Sequence, residues 1–303
     1  MKAPLPMRAG VNPSRLYLPR EEQWPDLLSF LLARFPYMPP TMIKERLAAG
    51  DMFNAEGIPC SIDSTFVADS WLWYYRDVPD EVVVPFELEI LYQDKHLLVV
   101  DKPHFLASVP SGRYAQQTVL SRLRKQFDLA EISPIHRLDR ETAGVLLFSL
   151  RPEDRGAYQC LFQERQVTKF YEAIAPTSDG LEFPVLYQSH IVKSPQYFSM
   201  MEVDRASNSE TKIGVLKRGE RLSHYYLEPL SGKKHQLRVH MSALGIAICH
   251  DNFYPELGPM RGYEDFSDPL QLLARAIEFK DPMTGQQHRF ESNRELALLA
   301  EVK

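Results

Sequence analysis

Apolar residues recur first at helical and then mainly at strand spacing along the chain. Residues 1–24 show no period and carry Pro4, Pro6, Pro13 and Pro19, so an irregular arm is expected there. Leu27, Leu28, Leu31 and Leu32 then repeat at helical spacing up to Pro36. A second short helix is predicted from Pro40 through Met42, Ile43 and Leu47, ended by Gly50. A small hairpin follows, and then the cluster Trp71, Trp73, Tyr74 and Tyr75, read as the core of a small unit, with stacking on RNA bases as the second reading. The charged, proline-bearing run Arg76 to Pro85 reads as a linker.

Beyond the linker the pattern turns to strands. Leu88–Tyr92 and Leu97–Val100 flank the polar turn Gln93–His96. Val119, Leu120, Leu123 and Phe127 mark an amphipathic helix. Strands are expected from Val145, over Lys169–Ile174, over Tyr225–Leu227 and over Leu270–Phe279, with a turn at Met283–Gln286. Helices are expected over Arg155–Gln166 and His235–Leu244, and a hairpin within 176–220. Strands mostly follow one another directly, which predicts an α+β fold with a mixed, mainly antiparallel sheet. The expected divisions are an arm at 1–24, a small domain with linker at 25–85, and a main domain at 86–303.

Composition narrows the function classes. An apolar share of 44% and a charged share of 25% are those of an ordinary globular protein. No apolar run approaches the roughly 18 residues of a membrane span. Cys60, Cys160 and Cys249 are far apart, with no Cys-x-x-Cys pair and no zinc spacing, which fits a reducing, cytoplasmic setting. The net charge of −5 argues against a generally basic surface. Binding to nucleic acid depends on where basic residues sit, however, and clusters occur around Arg113, Arg122, Arg124, Lys125, Arg137 and Arg140, and around Lys233, Lys234 and Arg238.

The densest chemistry lies in His136-Arg137-Leu138-Asp139-Arg140-Glu141-Thr142-Ala143-Gly144, just before an apolar strand. Positive charge on both sides of Asp139 is expected to hold it ionised, as a base, metal ligand or nucleophile. Two arginines beside it suit a phosphate-bearing partner. Lys169-Phe170-Tyr171 and Gly232 to Met241 are two further polar segments beside apolar elements, and in the latter Arg238 shares a helix face with His235. Periodicity alone does not bring the three together.

The set resembles the RluA family of pseudouridine synthases. The family's His-Arg-Leu-Asp-x-x-Thr-Ser-Gly matches His136 to Gly144, with Ala143 in place of serine. Its Lys-x-Tyr matches Lys169 to Tyr171. Its Gly-Arg-x-His-Gln-Leu-Arg-Val-His-Met matches Gly232 to Met241, with Lys233 for the first arginine. Its Val-Val-x-Lys-Pro matches Val99 to Pro103, with Phe105 where the family often has glycine. Residues 25–75 are similar in outline to the small α-L RNA-binding domain often fused to such enzymes, though poor in basic residues.

The resemblance implies isomerisation of uridine in a ribosomal or transfer RNA stem-loop to pseudouridine, with no cofactor and no metal, by a monomer. It implies Asp139 as the catalytic carboxylate, Arg238 as its partner and Tyr171 stacked on the target uracil. Arg137 would fill the space left by the flipped base. His136, Arg140, Thr142 and His235 are further candidates for substrate binding, and Arg113, Arg122 and Lys233 for phosphates. A catalytically idle RNA-binding protein on the same fold is the alternative, disfavoured because Asp139, Tyr171 and Arg238 are all present. A glycosidic hydrolase would need a second carboxylate, and only Glu141 is near.

Overall fold

The elements alternate as the period of the sequence changes. In the computed structural model they are β1 (Ser14–Leu18), α1 (Leu27–Arg34), α2 (Pro40–Ala48), β2 (Met52–Phe53), β3 (Ser70–Tyr74), β4 (Glu89–Gln93), β5 (Leu97–Lys102), α3 (Val119–Phe127), β6 (Ser133–Pro134), β7 (Ala143–Ser149), α4 (Arg155–Gln163), β8 (Thr168–Pro176), β9 (Val185–Lys193), β10 (Met200–Val203), β11 (Ser209–Lys217), β12 (Leu222–Pro229), α5 (Gln236–Ala243), β13 (Leu272–Lys280) and β14 (Gln287–Glu291). The structure describes residues 3–76, 81–196, 198–259, 261–262 and 264–303. Residues 77–80 of the expected linker and residues 1–2 of the expected arm lie outside the described residues. The chain divides into one unit of Met1–Glu81, Gly112–Gln116 and Ser121–Ala130, and another of Val82–Ser111, Gln117–Leu120 and Glu131–Lys303.

In the first unit a three-stranded antiparallel sheet, ordered β1-β3-β2, accompanies α1 and α2. Asp26 caps α1 by accepting the Ser29 N–H at 2.6 Å, and Pro40 opens α2 where its missing N–H costs nothing. Leu18, Leu27, Phe30, Leu31, Ile43, Leu47, Met52 and Leu72 form its core. Residues 14–18 were expected to be irregular, yet they pair with β3. Pro13 and Pro19 bound that strand instead of interrupting it, and its alternating burial is that of a sheet edge. Trp73 is buried, as expected of the aromatic cluster. Arg8, Arg15 and Arg46 lie over Tyr75, Trp71 and Tyr74 at 3.9, 4.3 and 5.6 Å, so these cations are engaged with aromatic faces of their own unit.

The second unit is built on an 11-stranded sheet ordered β10-β9-β11-β12-β8-β13-β7-β5-β4, with β14 and β6 added beside β13 and β7. The β7–β13 pair is parallel and the other strand pairs are antiparallel, the mixed sheet that the sequence predicts. β5 and β7 are buried at every position, as central strands covered on both faces must be, whereas β12 alternates. Gly144 makes the β7–β13 junction possible. It sits at φ +114°, and a Cβ there would lie 2.2 Å from the Ala274 carbonyl oxygen. Across β12, β8 and β13, Glu172 joins His224 at 3.1 Å and Arg275 at 2.8 and 2.9 Å, fixing the register beside Tyr171.

Gly144→Ala should cost about 2 kcal/mol or more of stability, because both backbone conformation and space oppose the methyl group. A urea-unfolding midpoint equal to that of the wild type would contradict the close approach of β7 and β13.

Candidate active site

Three chain segments meet on the second unit. Asp139 lies in the turn before β7, which Thr142 closes by donating its N–H to the Asp139 carbonyl at 3.2 Å. The turn is tied down from behind. Ser108 bonds both the N–H and the carbonyl of Leu138. The wholly buried Lys102 donates to the carbonyls of Pro103, Leu106 and Arg140 at 3.0, 2.8 and 3.1 Å. Burial pushes the Lys102 ammonium down to about 7, against the charges of Glu141 and Asp139. Tyr171 stands on β8, half-buried against the cluster that contains Leu237 and Met241 of α5, so one apolar contact set orients both the tyrosine and the helix. Burial first, and then the charge of Asp139, push its phenol well above the ordinary range; it stays protonated at neutral pH.

Arg238, on α5, is buried and held by Asp251. Its Nε and Nη2 donate to the two carboxylate oxygens at 2.7 and 2.6 Å. The guanidinium also lies over Phe253 at 4.8 Å and Tyr254 at 5.4 Å. Its remaining nitrogen, Nη1, is buried without a hydrogen-bond partner and faces Asp139 Oδ2 at 3.8 Å. Burial works against the charge of Arg238, but the bonds and charge of Asp251, with the charge of Asp139, outweigh it and keep the group ionised. His235 Nε2 approaches the same Oδ2 at 3.8 Å. The Asp139 side chain remains 31% exposed, against 2% for Arg238 and none for Asp251. This is an open carboxylate backed by a fixed, dry cation: a geometry suited to a nucleophile or base. No group of three or more His, Cys, Asp or Glu among the described residues is placed to hold a metal ion.

Comparison with known proteins gives the family. The family model for RNA pseudouridylate synthase matches residues 96–243. The dual-specificity RNA pseudouridine synthase RluA of Haemophilus influenzae is 33% identical over 67% of this chain and 91% of its own length. Its namesake from Escherichia coli is 31% identical over 68% and 92%. The chain belongs to the RluA family of RNA pseudouridine synthases. It is an isomerase that acts on uridine in RNA. Among solved structures, human RNA pseudouridylate synthase domain containing 1 is similar with a TM-score of 0.57 and 26% identity, covering 72% of this chain and 86% of that one. No helix among the described residues is long and apolar enough to cross a membrane.

Not every candidate of this synthase lies at the carboxylate. The cation nearest Asp139 is Arg238, not the flanking Arg137 or Arg140. Arg137 is exposed. Arg140 pairs with Glu141 and lies over the Phe105 ring at 5.7 Å. The His136 ring is turned away, stacked on Phe162 at 4.8 Å, and its Nε2 accepts the Leu147 N–H at 3.3 Å. Thr142 is buried and Lys233 exposed. Arg113 belongs to the first unit. Phe105 is buried at φ +65°, a left-handed conformation that explains why glycine suits this position. Sequence reasoning missed Asp251, Phe253 and Tyr254. The only local sign was an aspartate followed by residues whose N–H groups it could accept: Asp251 Oδ1 takes those of Phe253 and Tyr254 at 2.8 and 3.2 Å.

Two predictions follow from these burials. Asp251→Asn should cost about 3 kcal/mol in chemical denaturation and also slow turnover, because a buried guanidinium loses its counter-charge; unchanged stability would refute the pairing. Burial lowers His104, His235 and His240 to about 4 and His136 to about 3, from an ordinary 6.5. The unfolded chain therefore takes up protons first as pH falls. Stability is full above pH 6.5 and is lost towards pH 4, by about 1.4 kcal/mol per pH unit for each such histidine. Equal denaturation midpoints at pH 7.5 and 5 would contradict the neutral burial of these rings.

Proposed function

We propose that this synthase isomerises a uridine in a ribosomal or transfer RNA stem-loop, with Asp139 as the catalytic carboxylate and residues 86–303 as the catalytic domain, in the cytoplasm and as a monomer. The reading is supported above all by the convergence of Asp139, Tyr171 and Arg238 from three separate segments of one unit. The reaction breaks the N1–C1′ bond and forms C5–C1′; C5 loses its proton and N1 takes one up, so the product is an isomer and atoms balance without a co-reactant. Asp139 opens the glycosidic step as nucleophile or base. Arg238 holds it aimed, with a fixed positive charge beside Oδ2. Tyr171, a neutral phenol beside the carboxylate, offers a ring face to the flipped uracil and a donor, not a base.

RNA contacts are proposed for individual basic side chains. Arg137 is exposed and free to enter the space that the flipped base vacates, and Arg140, Lys233 and Arg113 are the candidates for phosphates. The dual specificity named for the relatives from Haemophilus influenzae and Escherichia coli makes more than one target RNA the expectation here as well.

Asp139→Asn should abolish isomerisation while leaving RNA affinity and folding close to wild type. Pseudouridine mapping of total RNA from cells with and without the protein should show the loss of one or a few pseudouridines. Wild-type turnover by the variant would refute the role of Asp139. An unchanged pseudouridine map, with the protein expressed, would favour the catalytically idle RNA-binding reading.

A further inference from the structure

One oxygen of Asp139 faces two nitrogen atoms. His235 Nε2 and Arg238 Nη1 each lie 3.8 Å from the same Oδ2. The arginine's contribution is fixed, since its other edge is spent on Asp251. The contribution of His235 depends on its tautomer. A neutral imidazole carries one N–H, so its Nε2 either donates towards the carboxylate or presents a lone pair to it.

Tyr254 decides which. Its hydroxyl oxygen accepts the Met200 N–H at 2.8 Å and lies 2.9 Å from His235 Nδ1. Nδ1 is the acceptor that this hydroxyl meets among the described residues, so donation of the phenolic proton to it satisfies both groups. That leaves the imidazole proton on Nε2, towards Asp139. The ring has no freedom to escape this arrangement. It is stacked on Phe253 with centroids 5.6 Å apart and planes at 13°, and stands edge-on to Tyr254. Its backbone is left-handed, at φ +56° before α5, a conformation that a non-glycine residue keeps only when its surroundings enforce it. Burial also disfavours the imidazolium form.

We propose that Tyr254 sets the Nε2–H tautomer of His235, which thereby acts as a positioning residue. With Arg238 it holds Oδ2 of Asp139 and leaves Oδ1 as the oxygen presented to RNA. The inference rests on the reading of Asp139 as the catalytic carboxylate. It moves His235 from substrate binding to orientation of the reacting group. The separations of 3.8 Å are about an ångström longer than a normal hydrogen bond, and such contacts tighten when substrate closes a site.

Nitrogen-15 NMR of the histidine ring nitrogens in the intact protein, without RNA, reads the tautomer directly. The Nε2–H form is expected at neutral pH. Tyr254→Phe keeps the ring and removes the proton donor. It should shift His235 towards the Nδ1–H form and lower kcat about 10-fold or more, with KM for RNA near the wild-type value. His235→Gln, whose amide nitrogen can reach the Nε2 position, should retain more turnover than His235→Asn, which mimics Nδ1. An Nδ1–H form in the native protein, an unchanged kcat in Tyr254→Phe, or an asparagine variant as active as the glutamine one would each overturn the proposal. The tautomer is measured without turnover, so its failure is separable from that of the Asp139 reading, which Asp139→Asn tests.

Discussion

The buried ion pair between Arg238 and Asp251 is the interaction on which the rest of the site depends. A guanidinium whose side chain is only 2% exposed is costly to bury without a counter-charge close by. Asp251 supplies that charge to two nitrogens at once, so the plane of the guanidinium is set and the third nitrogen has a single direction left, towards Asp139. The same carboxylate accepts the N–H groups of Phe253 and Tyr254. It therefore also places the two rings on which Arg238 and His235 rest. One aspartate, fully desolvated and saturated with donors, organises both groups that face the Asp139 carboxylate.

The sheet performs the matching task for Asp139 and Tyr171. β7 lies beside β13, and β13 beside β8, so the turn before β7 and the middle of β8 come to one region of the unit. Each of these strands is pinned close to Asp139 or Tyr171. Gly144 allows β7 to approach β13, Glu172 ties β8 to its neighbours one residue after Tyr171, and Lys102 grips the carbonyl that follows Asp139. Groups that must act on developing charge work best when they need not reorganise at the moment of reaction. Lys102 and Arg238 are buried here, and the Asp139 carboxylate and Tyr171 are partly exposed.

The first unit uses its basic side chains differently. Arg8, Arg15 and Arg46 lie on aromatic rings and Arg46 also donates to the Tyr75 carbonyl. A guanidinium stacked in this way still carries its charge, but its position is dictated by the ring and not by a phosphate spacing.

Local order was legible in the sequence wherever one residue's fate depends on near neighbours. The leucine period of α1, the apolar runs of β5 and β7, the turn at Met283–Gln286 and the mixed, mainly antiparallel sheet all follow from spacing and side-chain type. The quartet of motifs was legible too, and with it the family. Even so, β1 was hidden, because prolines that bound a strand look the same in sequence as prolines that break one. The partner of Arg238 was hidden for a deeper reason. Asp251 lies 13 residues further on, in a loop with no period to link the two. Arg137 and Arg140, adjacent in sequence to Asp139, gave way to Arg238 as the cation that faces it. Sequence alone determined which charged, aromatic and apolar groups this chain owns and which local elements carry them. Only the tertiary structure decided which charges meet, since Coulomb attraction and desolvation depend on distance and burial in space and not on separation along the chain.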